Sequence, residues 1–228
     1  MDSTALIDRP RMVDYRRNGA KVRGAFSDAE MQRRQDAVRR VMVERSVDAA
    51  VFTSFHNICY LSGFLYCQFG RNYALVLTHD EATTVSAAID GGQPWRRTFG
   101  DNLTYTDWHR DSFFHAVRQL AGAARRVGVE FDHMPVGLRD ELSHQMPGVE
   151  FVDISVDAMR LRMIKSSEEI AHITEMARIA DLGGAACVEA LAVGAPEFEI
   201  ARHASRSNLR ALAQSWPDRE VLDTWSGG

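Results

Sequence analysis

The octapeptide FLYCQFGR, Phe64 to Arg71, places a phenyl ring, Phe69, two residues before a guanidinium, Arg71, with Gly70 between them leaving the backbone open. That pairing suits a small ligand carrying a carboxylate at one end and a flat cation at the other. An arginine fork grips a carboxylate through two parallel charge-assisted hydrogen bonds, and a phenyl face lies well against a flat cation. The plainer fate of such residues is a phenylalanine packed in a core and an arginine left as a surface charge. Spacing alone leaves both readings open.

Two later segments have unusual composition: IDGGQPWRR (Ile89 to Arg97) and YTDW (Tyr105 to Trp108). Gly91-Gly92 lacks the GxxxxGK[ST] pattern of a phosphate cradle and reads as a turn leading into Pro94-Trp95. Trp95, Arg96, Arg97 and Trp108 read as interface or core residues, because aromatic and arginine side chains enrich contact surfaces. The eight histidines (56, 79, 109, 115, 133, 144, 172 and 203) are scattered with no ligand spacing, so no metal site is expected. Three cysteines, Cys59, Cys67 and Cys187, match no metal pattern and fit reduced thiols of a cytoplasmic protein. Cys67 has no base beside it in sequence and reads as a packed thiol.

The elements that must position these residues follow from patterning. The chain has 228 residues, 45% hydrophobic and 25% charged, which is ample for a buried core. Its net charge of -4 argues against nucleic acid as a partner. No apolar run is long enough to cross a bilayer. Ser27 and Glu30 form a capping box opening a helix to about Arg45. Asp48 to Thr53 reads as a buried strand. His56-Asn57 begins a turn into a short helix, Ile58 to Leu61, closed by Gly63. Tyr73 to Thr78 and Thr83 to Ala88 form a hairpin. Strands at 103–106, 126–130 and 149–153 then alternate with helices at 111–121 and 136–145, which predicts a mixed α/β sheet covered by helices. After Asp153 the pattern is helical only. A second capping box, Ser166 to Glu169, starts a long helix, and Pro196 sits in the first turn of the next. Gly183-Gly184 inside the first of these predicts a close approach of another backbone, or a break.

The segments FTSFHNICYLSGFLYCQFGRNYALVLT, IDGGQPWRR with YTDW, RMIKSSEE and ARIADLGGAACVEAL occur in that order. Together they resemble the creatinase/aminopeptidase P/prolidase family, over nearly everything from about Asn18 to Trp225. IDGGQPWRR with YTDW points to its creatinase-like members, and the IKSxxE helix start is shared across the whole superfamily. Residues 1–17 carry none of this resemblance, and their arginine and aspartate content reads as a mobile arm; the resemblance implies a creatinase-type N-terminal domain over 18–162. It further implies the opening helices of an incomplete pita-bread catalytic domain over 163–228.

For function, the resemblance implies the front part of a hydrolase converting creatine and water to sarcosine and urea, without metal or other cofactor. Phe69 and Arg71 match a substrate-contacting phenylalanine and arginine that reach across a homodimer interface. No catalytic residue is assigned, because the family's general acid/base histidine lies beyond the DTW motif, Asp223 to Trp225. The chain alone is therefore expected to be inactive. Alternatives are another carbon–nitrogen hydrolase of the superfamily, ectoine hydrolase-like or Xaa-Pro peptidase-like, and a non-enzymatic module that dimerises or binds partners.

Overall fold

The computed structural model describes residues 13–65, 70–90, 93–106, 108–109 and 111–221. By contact the chain divides into two compact units, one up to Ile164 and one from Lys165 onward. The first unit is built on a seven-stranded sheet: β1 (Val13–Asp14), β2 (Ala49–Phe52), β3 (Ala74–Thr78), β4 (Ala82–Ala87), β5 (Asp101–Tyr105), β6 (Arg126–Val129) and β7 (Glu150–Asp153). The strand order is β1-β5-β4-β3-β2-β6-β7. β2 is parallel to β6, β6 to β7, and β4 to β5, while β3 is antiparallel to both β2 and β4 and β1 is antiparallel to β5. Five strands therefore run the same way. Their carboxyl ends share one edge of the sheet with the start of β3.

Helices cover both faces: α1 (Asp28–Arg45), α2 (Phe55–Ser62), α3 (Gln93–Arg97), α4 (Ser112–Ala121), α5 (Val136–Gln145) and α6 (Ser155–Met163). Alternation along the strands divides the apolar residues between two cores. Val51, Val76, Val85, Leu103 and Tyr105 pack with Phe113 and Val117 of α4 and Leu142 of α5. Ala50, Phe52, Tyr73, Leu75 and Leu77 pack on the opposite side with Met42 of α1, Ile58 and Leu61 of α2 and Ala158 of α6. A polar seam lies between β4 and β5. Asn102 is buried, donates to the Thr84 hydroxyl at 2.9 Å, and accepts from Ser86 and Thr104, each at 3.2 Å.

Several local expectations hold. The Ser27 hydroxyl accepts from the Glu30 amide at 3.2 Å and opens α1, although the Glu30 carboxylate turns to Arg33 and Arg34 and does not complete the expected capping box, and α5 has the predicted bounds. Others are corrected. The short helix after β2 begins at Phe55, before the turn expected at His56-Asn57, because Ser54 caps it by accepting from the Asn57 amide. The turn expected at Gly91-Gly92 lies outside the described residues, and the Pro94-Trp95 pair it leads into belongs to a one-and-a-half-turn helix, α3. Of the arm expected to be mobile, 1–12 lie outside the described residues, but 13–17 are tied down. Val13 and Asp14 pair with Tyr105 and Thr104, and Arg17 pairs with Asp101. A two-residue strand has no periodicity of its own and exists only through its partner.

Glu30 also anchors α1. Its carboxylate takes Arg33 at 2.8 Å and the buried Arg34 at 2.8 Å. Arg34 is sandwiched between the rings of Phe26 and Tyr60, at 3.8 and 4.3 Å. Hydrogen bonding from Arg33, followed by that from Arg34, holds the Glu30 carboxyl at about 2. Since the folded value lies below the ordinary 4.5, this stabilisation is complete above about pH 5 and drains away as pH falls toward 2. It amounts to roughly 3 kcal/mol. Glu30→Gln should lower stability at pH 7 and flatten the stability profile between pH 5 and 2. Urea titrations with parallel slopes for the two proteins across that window would contradict the assignment.

The second unit is a helical pair, α7 (Ser167–Ala190) and α8 (Glu197–Ser215). The predicted capping box is formed: the Ser166 hydroxyl accepts from the Glu169 amide at 3.1 Å, and the Glu169 carboxylate accepts from the Ser166 amide at 2.8 Å. α7 runs through Gly183-Gly184 without a break. What approaches Gly183 is a side chain rather than a backbone: a Cβ there would lie 2.4 Å from Asn208 Oδ1 of α8. Ile170, Ile173, Met176 and Val188 of α7 remain exposed.

Candidate functional site

Arg71 stands on the connection between α2 and β3, three residues before the strand begins. Because β3 opposes the five co-directional strands, this position lies at their carboxyl end. There β4 leads through a 3-10 turn, Ala88–Asp90, into the IDGG segment, and β5 ends at Tyr105 of the YTDW segment. The topology thus gathers three stretches that are far apart in sequence. The side chain of Arg71 is exposed. Phe69, Cys67, Gly91, Gly92 and Asp107 lie outside the described residues.

The residues after Arg71 are held closely. The carbonyl of Asn72 accepts from the Tyr105 hydroxyl at 2.9 Å. Tyr73 is buried, packs against Phe64 with ring centroids 6.2 Å apart, and donates its hydroxyl to Asp90 Oδ2 at 2.6 Å. Sequence reasoning assigned no role to Tyr73, Asp90 or Tyr105. The available signal was the position of each tyrosine at the boundary between an apolar strand and a polar motif.

A second cluster at the same end of the sheet was also missed. Glu130, following β6, is 1% exposed. Its carboxylate accepts from the amides of Thr53 (2.7 Å) and Ser54 (2.9 Å), from Asn57 Nδ2 (2.6 Å) and from the Ser54 hydroxyl. It occupies the amino end of α2, where peptide dipoles favour negative charge. Beside it the rings of His56 and His133 meet edge-on, 6.0 Å apart. Burial, followed by the charge of Arg162, lowers the His56 pKa below its usual value. Burial pushes the Cys59 thiol up to about 12, and its Sγ donates to the Phe64 carbonyl at 3.2 Å, so it is a packed, neutral group. Among the described residues no three histidine, cysteine or acidic side chains are grouped to hold a metal ion. No helix among them is long and apolar enough to cross a membrane.

Trp95 and Arg96 of IDGGQPWRR hold the segment 19–22. Trp95 Nε1 donates to the Gly19 carbonyl at 3.2 Å, Arg96 Nε to the Ala20 carbonyl at 3.3 Å, and the Lys21 ammonium sits 3.9 Å above the Trp95 ring. Lys21 also donates to the Thr98 and Gly100 carbonyls, at 2.7 and 2.6 Å. A cavity of about 670 Å³ opens beside this segment, lined by Phe26, Met31, Gly63, Arg97 and Phe99 among others. Arg71 is not among its lining residues.

Residues 34–164, more than half of the chain, match the model of the Creatinase/Prolidase N-terminal domain. The chain is 46% identical over 224 residues to a creatinase from Bacillus sp. (strain B-0618), covering 96% of this chain and 54% of that protein. In fold it is similar to the prolidase from Pyrococcus horikoshii OT3 (TM-score 0.61, 22% identity, 77% of this chain and 48% of that one). It is also similar to an X-Pro aminopeptidase from Thermotoga maritima MSB8 (TM-score 0.67, 16% identity, 78% and 49%). The chain spans about half the length of the relatives it matches. A mixed seven-stranded sheet with helices on both faces and a domain-long sequence match lead to one conclusion: the chain belongs to the creatinase/prolidase family, whose N-terminal domain it carries.

Proposed function

We propose that this chain is the front part of a creatinase-like hydrolase, acting on creatine and water to give sarcosine and urea. The observation that carries the reading is the 46% identity to a creatinase along almost the whole chain. In this reading 18–162 form the N-terminal domain and 163–228 the first helices of a pita-bread catalytic domain. Arg71 grips the substrate carboxylate and Phe69 forms a wall against its planar guanidinium, both reaching into a partner subunit of a homodimer. The exposed position of Arg71 at a sheet end is compatible with such a reach. Proton transfer belongs to groups on the catalytic domain, and the protein works in the cytoplasm.

Relatives named as peptidases, one of them a putative dipeptidase, at 24–29% identity, support a second reading in which the substrate is a short peptide. The two readings part on a simple assay. An active hydrolase built on this chain should release urea from creatine and leave Xaa-Pro dipeptides intact. In that enzyme Arg71→Ala should lower kcat/KM for creatine roughly tenfold to hundredfold, because a charge-assisted pair is lost. Arg71→Lys should recover only part of this, since an ammonium lacks the two-pronged geometry. Mixing Arg71→Ala subunits with base-deficient subunits should restore one intact site per heterodimer. Unchanged creatine kinetics in Arg71→Ala would remove Arg71 from the site.

A further inference from the structure

The geometry points to Tyr105 and Asp90 as positioning residues that hold the Arg71 loop in place, Tyr105 from one core of the sheet and Asp90 through Tyr73 of the other. The inference rests on the reading of Arg71 as the carboxylate-gripping residue, and it assigns a purpose to two motif segments that no substrate contact explains. A two-pronged grip requires a fixed backbone, and an exposed residue on a long connection does not have one unaided. Here the two residues that follow Arg71 are both fastened. Tyr105, at the end of β5, belongs to the core under α4, where its ring meets Phe113 edge-on at 5.6 Å. Its hydroxyl reaches the Asn72 carbonyl at 2.9 Å. Tyr73 belongs to the opposite core with Phe64, and its hydroxyl is received by Asp90 at 2.6 Å. Both rings are at least 95% buried, so both hydroxyls are delivered from rigid supports. Gly70 sits at φ +61°, where a Cβ would meet nothing within 4 Å. The loop is thus clasped from both faces, and the YTDW and IDGG segments supply the two fasteners.

Trypsin reads this directly, because it must open the loop before it cuts the Arg71–Asn72 bond, and the rate follows the open population. Tyr105→Phe removes a hydroxyl and keeps the ring; Asp90→Ala removes the other acceptor. Each should speed cleavage after Arg71, followed by mass spectrometry on the whole chain, by about threefold to tenfold. Backbone ¹⁵N order parameters at Arg71 and Asn72 should fall in parallel, while cuts elsewhere keep their rates. In an active creatine hydrolase built on this chain, Tyr105→Phe should raise KM several-fold with kcat little changed. Added to Arg71→Ala, it should raise KM no further. Cleavage after Arg71 as fast in the parent as in the variants overturns the clasp. Faster cleavage with an unchanged KM, in an enzyme where Arg71→Ala does raise KM, overturns the positioning role. If Arg71→Ala itself leaves KM unchanged, the substrate reading falls, and the clasp is then decided by the cleavage rates alone.

Discussion

Glu130→Ala should cost the first unit about 3–5 kcal/mol, the range for removing one partner from a buried charged network. The carboxylate is 1% exposed and collects four donors: two amides, a hydroxyl and a side-chain amide. Alanine leaves these four buried with no acceptor, at about 1–3 kcal/mol for each that water fails to reach. The carboxylate also neutralises the positive end of α2, which makes the loss larger than a count of hydrogen bonds. Glu130→Gln should fall between the two proteins, since its amide oxygen still accepts while its NH₂ faces donors. Ser54→Ala should be milder still, removing one donor together with the α2 cap, worth about 1 kcal/mol. Urea unfolding at pH 7 gives the comparison. A Glu130→Ala loss below about 1 kcal/mol would show that the cluster is solvated and that the carboxylate does not hold α2 in place.

Gly100→Ala should be nearly as damaging, at about 3 kcal/mol or more. The residue sits at φ +96°, where only glycine is at ease. A Cβ there would stand 2.5 Å from the backbone carbonyl of Ala82. Backbone strain adds about 1–3 kcal/mol, and a clash with main chain that cannot swing aside adds a similar amount. Gly148→Ala is the natural control. It shares a positive φ, +83°, but has nothing within 4 Å of the added carbon, so it should suffer the strain without the clash. Thermal unfolding of the two variants separates the contributions, and equal shifts would mean that the Ala82 contact is not felt. The same substitution should also loosen residues 19–22, since Lys21 donates to the Gly100 carbonyl.

What was legible in the sequence was whatever depended on neighbours. The hairpin of β3 and β4, the helix α5 and the Ser27 and Ser166 caps all declare themselves within a few residues. What was hidden depended on distant partners. Glu130 looked like the polar end of a strand because its four donors lie more than seventy positions away. Ser54 did not stand out as a cap for the same reason: α2 has only eight residues, too short for a clear apolar stripe, and its start is fixed partly by Glu130. β1 exists only beside β5. For the candidate site, the motif residues could be picked out by type, but their gathering at one sheet edge could not. That edge follows from β3 running against its neighbours, a property of topology and not of composition.

The polar seam between β4 and β5 bears on how this fold can diverge. Asn102 fits only where the Thr84, Ser86 and Thr104 hydroxyls surround it, so the seam acts as a key that admits one alignment of the two strands. A shift by a single residue would turn every side chain to the opposite face and leave the asparagine amide buried among apolar groups. Descendants of this chain are therefore free to exchange the bulky aliphatic residues around the seam for one another. They are not free to change the seam one position at a time, because each intermediate strands a buried polar atom. Whatever ligand a descendant adopts at the carboxyl edge, β5 will still deliver its terminal tyrosine to the same place.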